Sequence, residues 1–419
     1  MRLPAGLVAL AIPLPALHAT SVNVRLRIGP RYEQAENNGL SHFLEHMLYR
    51  GTRRHPSAHA QAAAFEALGS SLGAATYVDH GAMSVAIPPD NLGAVLELLG
   101  EVYREPLLEG IDLERGIVTE EILDLLDDDN NPIDTDVLVR ALSFAGHPLG
   151  FPITGSIEQI GTFDQARLQQ HHARHYTASH TVVAVAGPLD PQRTLAQIER
   201  AFQGLSQGGA LEAEPPPEQS EPRFEYRRRS DSKTALRLAF RAPGEATPDE
   251  PAVELLLRVL DDGMSTRLYR RICDERGLCY DVAANYEAYA DGGLFDIAAE
   301  TAHERAGEVL AELVGIVKEL RDAGPSEEEL AKTKTRLHWQ LTEMLDHPSE
   351  IAEFFALTEL GGGVRSPLER FEQLGAVTAR QARAAAERLF RAESLSVVAV
   401  GALGKKQQQA LAARVKSFA

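Results

Sequence analysis

The chain has 419 residues, 44% hydrophobic and 24% charged, with a net charge of −18. That length exceeds one ordinary hydrophobic core and predicts two domains of about 200 residues each. The negative charge disfavours nucleic acid and an anionic membrane surface as partners, because both would be repelled.

The N-terminal run Leu3–Ala19 is apolar and follows Arg2, as a signal peptide would, but Pro4, Pro13 and Pro15 interrupt it. It reads instead as a strand, Leu7–Ile12, and a turn before a second strand, Ser21–Ile28, in which Val22, Val24, Leu26 and Ile28 alternate. No other apolar run is long enough to span a bilayer. A helix is predicted around His42-Phe43-Leu44-Glu45-His46, a strand at Met83–Ile87, and an acidic helix over Glu114–Ile122. The Pro-, Gly- and Glu-rich stretch Ser206–Pro222 reads as a linker. Beyond it come strand candidates Leu236–Phe240 and Leu294–Ala298, with helices Glu254–Leu260 and Glu304–Leu320. The cysteines, Cys273 and Cys279, are too few for a disulfide framework and read as two unconnected thiols. They suit a reducing compartment, so a cytoplasmic location is expected ahead of a periplasmic one.

The two halves follow one plan. EQIG at Glu158–Gly161 is followed by a helical stretch and TVVAVAG ending at Gly187; EQLG at Glu372–Gly375 is followed by a helical stretch and SVVAVG ending at Gly401. The offsets agree without a gap, since 372 − 158 = 214 and 401 − 187 = 214. The pattern predicts duplication of one α+β domain, an antiparallel-rich sheet with helices packed on it. The expected division is 1–205, a linker at 206–223, and 224–419.

The motif H-x-x-E-H carries the chemistry. On a helix His42 and His46 are four apart and share a face, so both imidazoles reach one zinc ion. Glu45 stands one residue before the second histidine, placed to take a proton from a water that the metal activates. Phe43 and Leu44 point elsewhere and pack the helix down. A catalytic zinc needs a third protein ligand and one open position. Glu114 and Glu121 lie two helical turns apart on one face, whereas Glu120 is rotated by about 100°. Glu121 is therefore the expected ligand and Glu114 a carboxylate that orients the site. Taken alone, the same segment also reads as a solvated acidic helix, with Asp124 and Asp127–Asp129 following it.

With these residues in view, the sequence resembles the pitrilysin or insulinase family, the inverzincins, and is similar to its short two-domain members related to mitochondrial processing peptidase. The stretches that carry the resemblance are NGLSHFLEHMLYRGT (Asn38–Thr52), ERGIVTEEI (Glu114–Ile122), GHPLGFPITGS (Gly146–Ser156) and STRLYRRICDERGLCYDV (Ser265–Val282). The resemblance implies one zinc ion per chain, two-domain halves forming a clamshell around a chamber, and dimerisation to build it. The implied substrates are unstructured peptides that add as a strand to a sheet edge near the zinc.

Two departures bear on the site. Family members often have Asn-Ala in the substrate-binding edge strand, where this chain has Gly73-Ala74 in LGAATYVDH, with Thr76 close by. The family's second half usually carries an Arg and a Tyr seven residues apart that steady the substrate carbonyl. Tyr280 is present here, but Cys273 stands in the arginine's place, with Arg270, Arg271 and Arg276 in other registers. The second half lacks a zinc motif, since Thr266, Tyr269 and Arg270 fall where His42, Glu45 and His46 would. The expected function is a zinc endopeptidase acting as a homodimer or as a heterodimer with a related zinc-less subunit. The alternative is a non-catalytic or partner-dependent subunit of a peptidase or assembly complex.

Overall fold

A computed structural model of the chain describes residues 1–245, 247–363 and 365–418. The fold is α+β, with two five-stranded sheets of matching topology. The first runs β1 (Val8–Pro13), β5 (Thr181–Gly187), β2 (Thr20–Leu26), β4 (Gly81–Ile87), β3 (Gly73–Thr76) in spatial order. The second runs β6 (Arg223–Arg228), β10 (Leu395–Gly401), β7 (Thr234–Ala242), β9 (Gly293–Thr301), β8 (Val282–Ala288). β1 pairs parallel with β5 and β6 parallel with β10, while every other named pair is antiparallel. The predicted strands at Leu7–Ile12, Ser21–Ile28, Met83–Ile87, Leu236–Phe240 and Leu294–Ala298 all coincide with observed ones to within a few residues.

The duplication extends to register. Gly187 closes β5 and Gly401 closes β10, and the helices Gln165–His175 and Ala379–Leu389 stand at the same offset of 214 residues. β5 and β10 are apolar but for Thr181 and Ser396, and both are buried along their whole length.

The chain divides into two compact units, but each is discontinuous. One comprises Met1–Leu123, Phe151–Ala213 and Gln340–Pro367, and the other Asp124–Gly150, Glu214–Trp339 and Leu368–Ala419. This differs from the contiguous division expected from the sequence, because each half supplies a helix to the other half's sheet. The helix Pro348–Leu360 of the second half buries Ile351, Ala352 and Ala356 against Val8, Val182, Ala184 and Ala186 of the first sheet. The helix Thr135–Ser143 of the first half packs on β7 and β10, burying Leu138 and Val139. Its Arg140 bonds to Glu287 at 2.7 Å and its Asp136 to Arg237 at 2.5 Å. Those apolar faces would otherwise stay in water at about 25 cal/mol per Å².

The linker is tied at both ends. Ala178 N–H donates to Ser206 O, and Gln219 Nε2 donates to Leu395 O, each at 2.9 Å. No described helix is long and apolar enough to cross a membrane.

Candidate active site

The helix α1 (Leu40–Met47) carries the H-x-x-E-H motif, and the sequence around it fixes the helix before any ligand is considered. Phe43, Leu44 and Met47 are completely buried, which anchors one side and leaves His42, Glu45 and His46 on the other. The helix start is held by Glu33, whose carboxylate accepts from the backbone N–H of Gly39 at 2.8 Å, that of Ser41 at 2.7 Å and Asn38 Nδ2 at 3.0 Å. A carboxylate at this end also meets the positive end of the helix dipole. Burial raises the Glu33 pKa, and the Ser41 hydroxyl together with these three donors only partly opposes it. Gly39 has φ +91°, and a Cβ there would lie 2.6 Å from Thr154 O, so the stretch 152–155 packs where only glycine fits.

Against α1 lies α2 (Ile111–Leu123), which presents Glu114 and Glu121. Each Glu121 carboxylate oxygen faces one imidazole, Oε1 at 3.4 Å from His42 Nε2 and Oε2 at 3.4 Å from His46 Nε2. Ligand atoms about 2.0–2.2 Å from a tetrahedral zinc ion stand about 3.4 Å apart, so the two nitrogens and the carboxylate fit one ion. Among the described residues, His42, His46 and Glu121 form the one cluster of three or more such donors suited to a metal. Glu114 accepts from His46 Nδ1 at 2.9 Å and also pairs with Arg50. Because that carboxylate is ionised, it holds a proton on Nδ1 and leaves Nε2 as the nitrogen whose lone pair a metal would take.

The electrostatics divide the two histidines. Burial lowers His42 to about 4 despite Glu121 nearby, which keeps the ring neutral. Burial also works to lower His46, but hydrogen bonds to Glu114 and Glu121 outweigh it and push His46 up to about 9. Its proton supplies positive charge between two carboxylates, a place a metal cation would take. Burial works to raise Glu114, but His46 and Arg50 hold it below the usual carboxylate range; the His46 hydrogen bond chiefly does the same for Glu121. Glu45 is raised, chiefly by burial.

Strand β3 borders this cluster. It is the edge strand of the first sheet, paired only with β4. Tyr77 N–H bonds to His80 O at 2.8 Å, extending the pairing. In this antiparallel alternation Gly73 and Ala75 point their backbone groups at β4, while Ala74 and Thr76 point theirs at the free edge. Thr76 Oγ1 donates to Glu45 Oε2 at 2.8 Å, and the backbone N–H of Thr76 reaches the same carboxylate. The backbone N–H of Ala74 meets the Tyr49 hydroxyl.

The structure thus gathers His42, Glu45, His46, Glu114, Glu121 and Thr76 into one site, with Gly73 and Ala74 on its bordering strand. Tyr280 is not part of that cluster; it belongs to the other unit and is 93% exposed. Cys273 lies in a π-helical turn, Tyr269–Asp274, as a free thiol hydrogen-bonded to the free thiol of Cys279. Arg271 pairs with Glu312 and Glu319, and Arg276 with Glu308 and Glu312, so both are engaged by the helix Ala306–Ala323. Arg270 makes an exposed pair with Glu275 at 3.3 Å. Sequence reasoning missed Glu33, Tyr49 and Arg50. Arg50 had a readable signal, since it sits four residues after His46 on the same helical face. Tyr49 had none, because its partner Ala74 is brought to it by tertiary packing; Glu33 stands only five to eight residues before its partners, within reach of a local reading.

Comparison with known proteins agrees with this architecture. Residues 10–154 match the family model described as insulinase (peptidase family M16), and residues 162–337 match that described as peptidase M16 inactive domain. An uncharacterised zinc protease of Mycobacterium tuberculosis is 30% identical over 93% of this chain and 90% of its own. One of Streptomyces coelicolor is 27% identical over 98% of this chain and 90% of its own. Among solved structures, a protease from Helicobacter pylori superposes with TM-score 0.88 at 20% identity, over 96% of this chain and 98% of that one. A peptidase M16 inactive domain from Pseudomonas fluorescens gives 0.87 at 23% identity, over 96% and 97%.

Proposed function

From the premise that this chain belongs to the insulinase (M16) peptidase family, we infer that it is a zinc-dependent endopeptidase for unstructured peptides. The observation that carries this reading is the pair of 3.4 Å separations between the Glu121 oxygens and the two Nε2 atoms, with Glu45 beside them. His42, His46 and Glu121 would hold one zinc ion per chain. Zinc, when bound, polarises the scissile carbonyl and lowers the pKa of water.

The remaining steps fall to the chain's own groups. Glu114 keeps the His46 proton on Nδ1. Glu45, aimed by the Thr76 hydroxyl, takes the proton of the attacking water and delivers it to the departing amine. Burial raises its pKa, which strengthens it as a base. The edge of β3 receives the substrate as an added strand through the outward backbone carbonyls of Ala74 and Thr76, whose N–H groups meet Tyr49 and Glu45 in the chain alone. Adding as a strand needs an extended segment whose backbone groups are unpaired, so unstructured peptides are the substrates. Tyr280 steadies the substrate carbonyl from a second subunit, and the working particle is a dimer.

A second reading, that activity requires a related but different partner, is favoured by Cys273 at the arginine position and by the engagement of Arg271 and Arg276 elsewhere. The test is to purify the chain alone, strip it with a chelator, and reload it with zinc or magnesium before assaying a mixed peptide library and measuring its mass. Zinc-restored hydrolysis by a homodimer supports the first reading. Activity only after Cys273→Arg, or only with a partner, supports the second, and chelator-insensitive hydrolysis rejects both.

A further inference from the structure

The first sheet has a second concave surface, on the face turned away from α1. Thr76 reaches Glu45, so the even residues of β3 face the cluster and Gly73 and Ala75 face the other way. Register extends that opposite face inward: Gly73 pairs with Ser84, Ala75 with Ala82, Ser84 with Asn23, and Ala82 with Arg25. The helix Pro348–Leu360 covers β1, β5 and β2 but leaves the β4–β3 side open. The result is a groove of about 770 Å³ with Asn23, Arg25 and Ser84 in its floor, Ser349 and Glu353 in its wall and Glu66 at its rim. Its open side is β3 itself. A Cβ at position 73 would stand 3.0 Å from Ser84 Oγ, so glycine there keeps the way from the strand edge to Ser84 clear.

We propose that this groove receives the side chains of alternate substrate residues and selects long donor-ended ones, lysine, arginine and glutamine, over acidic ones. The proposal rests on the reading that a peptide adds to β3. Side chains of an added strand alternate between the two faces of the sheet, so one set overhangs the zinc cluster and the other enters the groove. The lining sets the chemistry. Arg25 is 2% exposed and donates to Asn23 Oδ1 at 3.0 Å, and its charge is matched by Glu353. Glu66 then leaves the lining with one carboxylate more than it has cations. Five serines also line it, and the hydroxyls of three of them, Ser71, Ser84 and Ser349, would be buried without partners by a large apolar side chain.

The experiment uses the zinc-loaded full chain and peptides carrying Lys, Gln, Glu or Gly at each position around the cut. The variants are Glu66→Lys and Ser84→Leu, both at exposed positions. The expected result is a Lys-over-Glu preference of about tenfold in kcat/KM at every second position, the scale of one pocket contact. Glu66→Lys should reduce that ratio to about twofold or less, and Ser84→Leu should slow the Lys and Gln peptides while sparing the Gly ones. The same peptides are titrated by anisotropy against Glu45→Gln. A flat profile, a profile without alternation, or one unmoved by both variants overturns the groove while leaving peptidase activity standing. Alternating affinity without any hydrolysis by the parent would reject the peptidase reading instead, and keep the groove.

Discussion

Thr76 donates its hydroxyl to Glu45 across 2.8 Å, which joins the free edge of a sheet to the proposed base of the reaction. Thr76→Val keeps the shape and removes that donor. Hydrogen bonds to a charged group are worth about 1.5–3 kcal/mol, so kcat/KM should fall about tenfold or more with zinc content unchanged. Activity within twofold of the parent would show that the contact does not aim the base.

Glu114 decides which His46 nitrogen carries the proton. Glu114→Gln weakens that control and leaves Arg50 without its counter-charge. Zinc affinity measured by chelator competition should fall about 10- to 100-fold, with the fold retained by circular dichroism. An unchanged affinity would limit Glu114 to holding Arg50.

The α1 cap is a stability element. Glu33→Ala leaves three donors, at Gly39, Ser41 and Asn38, without the acceptor they share. Each unsatisfied buried group costs about 1–3 kcal/mol, so the denaturation midpoint should drop clearly and zinc affinity with it. A midpoint equal to the parent's would mean that other groups cap the helix.

Asp296 in β9, in the unit that does not carry the metal residues, gives a pH signature. Burial raises its carboxyl to about 6, against the usual 3.8, with Arg237 only partly offsetting this. Its folded-state pKa lies above the unfolded one, so its contribution to stability is present below pH 3.8 and is lost as pH rises through about 6. Asp296→Asn does not titrate. Relative to that variant, the parent should lose about 3 kcal/mol between pH 3.5 and pH 7 in denaturant titrations. A difference that stays constant or grows toward the parent would refute it.

The parts of the fold that were legible from sequence are those written in local pattern. Alternation in Ser21–Ile28, the repeat that ends at Gly187 and Gly401, and the spacing of His42 and His46 each follow from one element's geometry. The helix exchange was not legible. Nothing local in Thr135–Ser143 or Pro348–Leu360 says which sheet each covers, since both sheets offer the same kind of apolar face. The site divides likewise. Glu114 and Glu121 were readable as one helical face, whereas Tyr49 and the Thr76–Glu45 bond depend on chain segments brought together in folding. The polar face of β2, with Asn23 and Arg25 between buried valines, was readable as alternation but not as a groove.

The central claim is that Glu45 is a base beside a zinc ion held by His42, His46 and Glu121. It is tested most directly by Glu45→Gln, with zinc per chain and peptide turnover measured on the same preparation. The account predicts one zinc per chain as in the parent, with turnover lower by about 10²- to 10⁴-fold. Near-parental turnover by zinc-replete Glu45→Gln would contradict it.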